Sequence, residues 1–189
     1  MTELENYIQH YFNISPDDCR IVAKSFKTEI LKKGDYFLHS GVPSNKFSFI
    51  LDGILRVYVK LPDREVTQWI STPQSFVTDF SAFFYRQPSL RNIQALTDTH
   101  LLTIDYEGYQ ALEKAIPAWK EFEKLFIGKC FVFMESRVFD LISLSAEERY
   151  KRLFEQNREL FNQVPLQYLA SMLGMTPETF SRIRKKQSS

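Results

Sequence analysis

The stretch that decides the fold is LQYLASMLGMTPETFSRIRK, residues 166–185. Interpreted as two helices around Gly174, it has a small residue, Ala170, where the helices would cross, and a glycine where the turn needs backbone freedom. Thr176 and Pro177 are a good N-cap and a good first residue for the second helix. The apolar contacts inside the pair would come from Leu169, Leu173, Phe180 and Ile183. The stretch therefore predicts a helix-turn-helix.

The second helix of this pair, residues 176–186, has a polar face. At about 100° per residue, Glu178, Ser181 and Arg182 share one side of the helix. In helix-turn-helix docking that side meets base edges, where arginine pairs with guanine and glutamate accepts from cytosine. The alternative is a surface ion pair between Glu178 and Arg182. We predict base contacts from Glu178, Ser181 and Arg182, and phosphate contacts from Gln167, Arg184, Lys185 and Lys186.

Composition and charge are compatible with this interpretation. The net charge of the 189 residues is only +1, but residues 145–189 carry eight basic and five acidic side chains. The 44% hydrophobic content can fill the cores of two small domains. Two widely spaced cysteines argue against a disulfide framework. The chain has neither a signal-peptide pattern nor the roughly 18 apolar residues of a spanning helix. We expect a cytoplasmic protein without a membrane segment.

Upstream of the tail, the pattern changes from helical to strand-like. Short helices are predicted over residues 3–12 and 16–27, the second starting at Pro16 after an N-cap at Ser15. Asp52-Gly53, between two apolar runs, is a two-residue hairpin signal. Short alternating runs indicate an antiparallel barrel or sandwich; they span residues 35–39, 46–51, 54–60, 66–71, 93–97 and 101–105.

A long helix is predicted over about 117–141, apolar on most of its circumference. Such a helix must be covered on two sides, by the strands and by the same helix of a second subunit. A single buried core helix is the alternative. The predicted dimer helix residues are Phe122, Phe126, Phe133 and Arg137. Ser145 and Glu148 form a capping box, which starts a new helix after a hinge at 140–144. The predicted domains are 1–143 and 144–189.

These residues resemble a known family. Val164–Ile183, with its Glu-Thr-x-x-Arg pattern at 178–182, is similar to the tail of the Crp/Fnr regulators, and Phe47–Gly53 with Gly34-Asp35 resembles their cyclic-nucleotide-type barrel. The resemblance implies an α+β fold: an antiparallel double-stranded β-helix barrel, a long dimerisation helix and a small helix-turn-helix domain. It implies base reading by Glu178 and Arg182, in a homodimeric transcription regulator on double-stranded DNA. RNA polymerase is a candidate partner.

The sequence also departs from the family. Nucleotide-binding members have a Gly-Glu pair followed by Arg-Ser, and the matching stretch Ser75–Asn92 has neither. We therefore expect no strong binding of cyclic AMP, and the effector stays open. Pro177 stands where cyclic-AMP-responsive members have an arginine, so the base preference should differ. The wing strands that follow the recognition helix in many relatives are expected to be missing. Candidate effector-pocket residues are Phe76, Phe84, Arg86, Ser89 and Arg91, with core packing and solvated loop charges as the alternatives.

Two other functions compete with this one. A cupin-like metal enzyme needs clustered ligands, but His10, His39 and His100 are scattered without metal-ligand spacing. No phosphate loop, nucleophile elbow or catalytic carboxylate pair stands out. We therefore predict no enzyme activity, no cofactor and no metal. The second alternative is a ligand-binding barrel module whose helical tail contacts a protein partner.

Overall fold

A computed structural model of the chain describes residues 2–12 and 14–187. The fold is mixed α+β with antiparallel sheets, which confirms the predicted class at this level. Two short helices come first, α1 (Glu3–Phe12) and α2 (Pro16–Ser25). The side chain of Ser15 accepts a hydrogen bond from the backbone N–H of Asp18 (3.1 Å), so the N-cap predicted before Pro16 is confirmed.

The strands of residues 27–105, which we call the sheet domain, form two antiparallel sheets. One has the strand order β1-β8-β3-β6 and the other β2-β7-β4-β5. Apolar residues of both sheets meet in a single cluster that includes Ile50, Leu101, Leu55 and Ile93, so the sheets pack face to face. The hydrogen bonds do not join them into one sheet, and a closed barrel stays a prediction. Within the described residues the strands are β1 (Lys27–Leu31), β2 (Tyr36–Leu38), β3 (Lys46–Asp52), β4 (Leu55–Lys60), β5 (Glu65–Ser71), β6 (Phe76–Val77), β7 (Asn92–Ala95) and β8 (Thr99–Asp105).

The predicted hairpin at Asp52-Gly53 is wrong. β3 pairs with β6 and β8, whereas β4 pairs with β5 and β7, so the chain changes sheets at Gly53. The backbone N–H of Ile54 donates to the side chain of Thr97 (2.9 Å) and is unavailable to β3. Gly53 has a φ of 95°, and an added Cβ would lie 2.5 Å from the backbone oxygen of Asp98. Close approach of another loop therefore selects the glycine here.

Two strands were not predicted from the sequence. The helix predicted over 16–27 ends at Ser25, because Phe26 is extended and the chain enters β1 at Lys27. β1 pairs along its whole length with β8, and the two-residue β6 pairs with β3. Both strands depend on partners that are distant in sequence, which local patterns do not report.

Helices make up the rest of the chain: α3 (Phe80–Phe84), α4 (Tyr106–Ala115), α5 (Trp119–Ser143), α6 (Ala146–Gln156), α7 (Leu160–Gln163), α8 (Leu166–Met172) and α9 (Pro177–Gln187). The long helix α5 confirms the helix predicted at about 117–141. The capping box is also confirmed, since Ser145 and Glu148 satisfy each other's backbone N–H groups. None of the helices in the described part of the chain is long and apolar enough to cross a membrane. The division at 143/144 stays a prediction.

Two further cores lie outside the sheets. An aromatic cluster joins α1, α2, α4 and the first half of α5 to the outer face of the first sheet, and includes Phe12, Phe47, Tyr109 and Phe122. A separate cluster joins the helices of residues 145–187, which we call the tail domain, to Ile54, directly before β4, and to Ile70 of β5. The tail domain is therefore packed directly on the sheet domain.

Candidate functional site

Helices α8 and α9 meet at a tight turn. Gly174 has a φ of 66° and donates its N–H to the carbonyl of Ser171 (3.0 Å). Ala170, the predicted crossing residue, is fully buried. The Thr176 hydroxyl accepts from the backbone N–H of Thr179 (3.3 Å), so α9 has the expected N-cap. The local geometry matches the predicted helix, turn and helix.

Two arginines hold the turn from neighbouring helices. Nε of Arg149 on α6 donates to the carbonyl of Leu173 (2.9 Å), and Nη2 of Arg137 on α5 donates to the carbonyl of Met172 (3.2 Å). These carbonyls lie at the end of α8, where a helix leaves its last acceptors without partners. The arginines therefore bind the C-terminal end of α8, directly before the turn to α9.

Helix α9 buries one face and exposes the other. Phe180 and Ile183 are buried, and the ring of Phe180 contacts those of Tyr150 (5.1 Å) and Phe161 (5.8 Å). These contacts attach α9 to α6 and α7. The predicted base-reading residues, Glu178, Ser181 and Arg182, are all exposed. One face of α9 thus anchors the helix and the other is accessible.

The exposed face has separate charges. In the part of the chain that the structure describes, no ion pair joins Glu178 to Arg182, so the surface pair considered from the sequence is not formed. Hydrogen bonds from its own backbone N–H and from the hydroxyl of Thr176 lower the pKa of Glu178 below its usual range. The Glu178 carboxylate is therefore ionised at neutral pH.

The predicted phosphate-contacting residues surround this face. Gln167 on α8 and Arg184, Lys185 and Lys186 on α9 are exposed. Nζ of Lys186 lies 3.0 Å from the carboxylate of Glu147 on α6. Exposed pairs of this kind contribute about 0–1 kcal/mol and are screened by salt. The pair is thus too weak to withhold Lys186 from an external phosphate.

The other side of the α8–α9 pair is docked on strand β5. The backbone N–H of Thr67 donates to Oγ of Ser171 (2.9 Å). Arg56, only 2% exposed, donates to Glu65 (2.7 Å), and its guanidinium carbon lies 3.6 Å from the ring centre of Tyr168. Sequence reasoning missed this contact surface because it joins residues about a hundred positions apart.

The four residues predicted for the dimer helix all belong to the inner face of α5. Phe122 and Phe126 are 1% and 6% exposed and pack inside their own chain. The ring of Phe133 contacts Trp69 (4.8 Å), and Arg137 donates to backbone oxygens of its own chain. Phe122 and Phe126 therefore need correction as dimer residues, because they are buried and not available to a second subunit; Phe133 is 44% exposed and Arg137 is partly exposed, and their role in a dimer stays a prediction.

The outer face of α5 is instead apolar and uncovered. Phe131 is 68% exposed and Ile142 is 80% exposed. Ile127, Phe131, Met134 and Val138 recur every three or four residues, and so form one stripe along the helix. Gly128 lies beside the stripe, and an added Cβ there would meet nothing within 4 Å. Other exposed apolar residues of α5 are Leu125, Val132, Phe133, Phe139 and Leu141, of which Phe133 lies on the side facing Trp69.

The candidate effector pocket contains an acid that the sequence reasoning missed. Asp79 is 3% exposed, and its carboxylate accepts from Oγ of Ser89 (2.7 Å), Nη1 of Arg91 (3.2 Å) and the N–H of Ala82 (3.2 Å). Burial raises the pKa of Asp79, but these hydrogen bonds and the Arg91 charge outweigh burial and hold the pKa below its ordinary value. The sequence signal for Asp79 was an aspartate directly before a short helix, a common N-cap.

The other predicted pocket residues are not part of this polar group. Phe76 stacks on Phe47 (4.8 Å) and Phe84 lies edge-on to Phe83 (5.2 Å), both within the aromatic core. Nη1 of Arg86 donates to a backbone oxygen of the loop before β3 (2.9 Å). The structure therefore brings Ser89 and Arg91 together around Asp79 and leaves the aromatic residues in the core.

Among the residues that the structure describes, no group of three or more His, Cys, Asp or Glu side chains is arranged to hold a metal ion. His39 stacks on Tyr36 with ring centres 4.0 Å apart, and His10 packs edge-on to Tyr11 (4.8 Å). Each of these histidines therefore packs against a tyrosine nearby in the chain.

Comparison with known proteins assigns the sheet domain to a class. Residues 28–115 match the family model of the cyclic nucleotide-binding domain. No curated protein matches the chain significantly. The match covers the strands and α4 but not α5 or the tail domain. The sheet domain therefore has the architecture of a cyclic nucleotide-binding domain.

Solved structures extend the likeness over nearly the whole chain. The c-di-GMP-responsive global regulator CLP of Xanthomonas campestris covers 92% of each chain at 16% identity with a TM-score of 0.70. FixK2 of Bradyrhizobium japonicum covers 85% of this chain and 83% of its own at 18% identity, with a TM-score of 0.72. The catabolite activator protein of Thermus thermophilus covers 96% and 86% at 19% identity, with a TM-score of 0.60. The chain has the fold of the Crp/Fnr-type regulators, which confirms the resemblance.

Proposed function

We propose that this chain is a sequence-specific DNA-binding transcription regulator of the Crp/Fnr type, which binds as a homodimer through α9. The observation that carries the proposal is the exposed polar and basic face of α9 opposite a buried apolar face. Two structural neighbours, one named as a global regulator and the other as a catabolite activator protein, support the proposal. Residues 176–186 then form a recognition helix that enters the major groove.

The two groups of exposed residues on this surface have different roles. Glu178, Ser181 and Arg182 lie in the first half of α9, the part that faces base edges in helix-turn-helix docking. An ionised Glu178 accepts from cytosine, and Arg182 donates two hydrogen bonds to guanine. Arg184, Lys185 and Lys186 lie near the end of the helix and, with Gln167 on α8, contact phosphates.

The uncovered stripe of α5 is the proposed dimer surface. An apolar stripe of this length is unfavourable in water, and a second copy of α5 covers it with the same residues from the other subunit. The seam consists of Ile127, Phe131, Met134, Val138 and Ile142, on the side of α5 opposite the buried Phe122 and Phe126. Gly128 lets the two backbones approach closely beside Phe131. Two subunits related by a twofold axis present two α9 helices to two half-sites.

Cyclic AMP is not the expected effector. Arg91 and Ser89, the side chains suited to a cyclic phosphate, already bind the carboxylate of Asp79. A cyclic phosphate at this position would face a buried anion and lack its charge-assisted partners. We expect titration calorimetry to show no tight uptake of cyclic AMP. Uptake at micromolar concentration or below would contradict this part of the proposal.

The DNA-binding function is tested against its alternative, a ligand-binding module whose tail contacts a protein. The experiment measures binding of arbitrary duplex DNA across a range of salt concentrations. A DNA-binding protein should lose affinity with a slope of about −0.9 for each phosphate it neutralises. Lys120→Ala, a surface lysine at the start of α5, serves as the control and should leave the slope unchanged. Absence of salt-dependent duplex binding by the wild type would favour the protein-partner function.

A further inference from the structure

Gln68 lies between the buried acid of the sheet domain and the tail domain. It is the extra residue of a β-bulge between β4 and β5. Its side-chain oxygen accepts from Nε of Arg91, which also binds Asp79. Its backbone oxygen accepts from Nη1 of Arg137 (2.8 Å). The same residue therefore contacts the arginine of the Asp79 group and an arginine that holds the tail.

Arg137 extends this connection to the turn between α8 and α9. Its Nη2 donates to the carbonyl of Met172 (3.2 Å), the residue that ends α8. The Arg137 side chain is partly buried, and this burial lowers the pKa of its guanidinium. A charge in such a position depends on its hydrogen-bond partners, because an unpaired buried charge is very costly. Displacement of either carbonyl would therefore disturb the other contact.

The tail domain also completes the edge of the second sheet. β5 is the last strand in the order β2-β7-β4-β5, so its outer backbone groups lack a neighbouring strand. The N–H of Thr67 binds Ser171, and the carbonyl of Gln68 binds Arg137. Two consecutive residues of one edge strand are thus bound, Thr67 by Ser171 of the tail domain and the bulge residue Gln68 by Arg137 of α5.

We propose that Gln68 and Arg137 couple the Asp79–Arg91 pair to the docking of the α8–α9 turn on β5. When the Asp79–Arg91 pair changes, Arg91 shifts and the Gln68 side chain that it binds shifts as well. Because Gln68 is the bulge residue, its carbonyl moves with the side chain. Arg137, which binds this carbonyl, then shifts against the carbonyl of Met172. The coupling is a property of the folded chain. Only its consequence for DNA rests on the proposed function.

Exchange of the Thr67 amide proton measures this coupling directly. That N–H is bonded to Ser171, so its protection depends on docking of the tail. Gln68→Ala and Asp79→Asn should each raise its exchange rate about tenfold, the effect of losing one charge-assisted hydrogen bond. The matched control is Gln94→Ala, on β7 of the same sheet, whose side chain donates to the carbonyl of Gly34 (3.0 Å). The control should leave Thr67 exchange unchanged.

A double-mutant cycle decides whether the contacts act together. Arg137→Lys keeps the charge but lacks the guanidinium fork whose Nη1 and Nη2 bind one carbonyl each, and it should also raise Thr67 exchange. If the contacts are coupled, the Thr67 amide proton should exchange no faster in the double variant than in Arg137→Lys alone. The double variant combines Asp79→Asn with Arg137→Lys. The proposal would be overturned if the two single-variant increases in Thr67 exchange multiplied in the double variant. It would also be overturned if Thr67 exchanged at the wild-type rate in Asp79→Asn.

Two further measurements keep the outcome unambiguous. Gln68→Ala leaves the Asp79–Arg91 pair in place, so it can test the coupling even if Asp79→Asn does not fold. If Thr67 then exchanged at the wild-type rate in Gln68→Ala, the coupling would be refuted. Duplex binding by the same proteins tests the DNA-binding function separately. If the wild type bound no duplex while the exchange cycle showed coupling, only the proposed function would fail.

Discussion

Helices α5 and α9 each bury one face in their own chain and leave the opposite face uncovered, but the uncovered faces differ in chemistry. On α5, Phe122 lies inside and the exposed Phe131 outside. On α9, Phe180 lies inside, and the charged Glu178 and Arg182 lie outside. An apolar face is stabilised by another apolar face, whereas a basic face is stabilised by a polyanion. Under the proposed function, the same helical geometry therefore serves two kinds of partner, a second subunit on α5 and DNA on α9.

The difference also shows where a sequence pattern is decisive. Helix α9 is amphipathic, so its apolar side can only be the inner one, and the sequence identified that side correctly. Helix α5 is apolar around most of its circumference, and nothing local distinguishes its inner face from its outer face. The structure resolves the choice by placing Phe122 and Phe126 in the aromatic core.

The largest effect is expected when a buried ring is removed from the inner face of α5 or α9. Phe122→Ala and Phe180→Ala should each lower the free energy of unfolding by about 3–5 kcal/mol, because each removes a buried ring and leaves a cavity. Urea denaturation measures the loss. Tyr85→Ala, at an aromatic residue that is 75% exposed, is the control and should change stability by less than about 0.5 kcal/mol. Losses below about 1 kcal/mol at both phenylalanines would contradict the assignment of inner faces.

The second largest effect is expected on the outer face of α5. The double variant Phe131→Glu with Val138→Glu should convert a dimer into a monomer, because it places charges within an apolar seam. Sedimentation should report the mass change. Affinity for a DNA with two half-sites should then fall by about 100-fold or more, since the second contact is no longer intramolecular.

Leu125→Glu is the matched control for this variant. Leu125 is also exposed and apolar but lies on a different side of α5, so its replacement should preserve the dimer. A wild type that is monomeric at micromolar concentration, or a double variant that keeps the dimer mass, would disprove the seam.

The third prediction concerns the first half of α9. Arg182→Ala should cost about 1–3 kcal/mol on the preferred operator and flatten the preference at one base position in each half-site. The reason is the loss of a bidentate contact to guanine, which Arg182→Lys should restore only in part. Selection of bound sequences from random duplex measures the preference. A uniform loss of affinity, with the preference intact, would show that Arg182 contacts phosphate instead.

Much of the fold was predictable because it depends on local chemistry. Ser15, Ser145 and Glu148 cap helices through bonds to their near neighbours, and the structure has these bonds. The turn at Asp52-Gly53 was misjudged because its strands belong to different sheets, and that choice is made by packing.

The candidate site was predictable to a different extent in its two parts. The exposed residues of α9 follow from helical periodicity alone. The Asp79 group did not, because Asp79, Ser89 and Arg91 are brought together by the fold of a loop, and the core requirements of Phe76 and Phe84 remove those residues from the pocket. The docking of Ser171 on Thr67 was likewise beyond any local pattern.

The smallest predicted effect separates the end of α9 from its beginning. Lys185→Ala and Lys186→Ala should each weaken binding to all duplexes alike and reduce the salt slope by about one unit, because each removes a phosphate contact. The ion pair of Lys186 with Glu147 should not protect it from this loss, since the pair is exposed and weak. Duplex affinities at several salt concentrations, measured on a preferred and an unrelated sequence, test the prediction. A lysine variant that changed the sequence preference but not the slope would place base reading at the end of the helix, and the division of α9 into a base-reading half and a phosphate-binding half would be wrong.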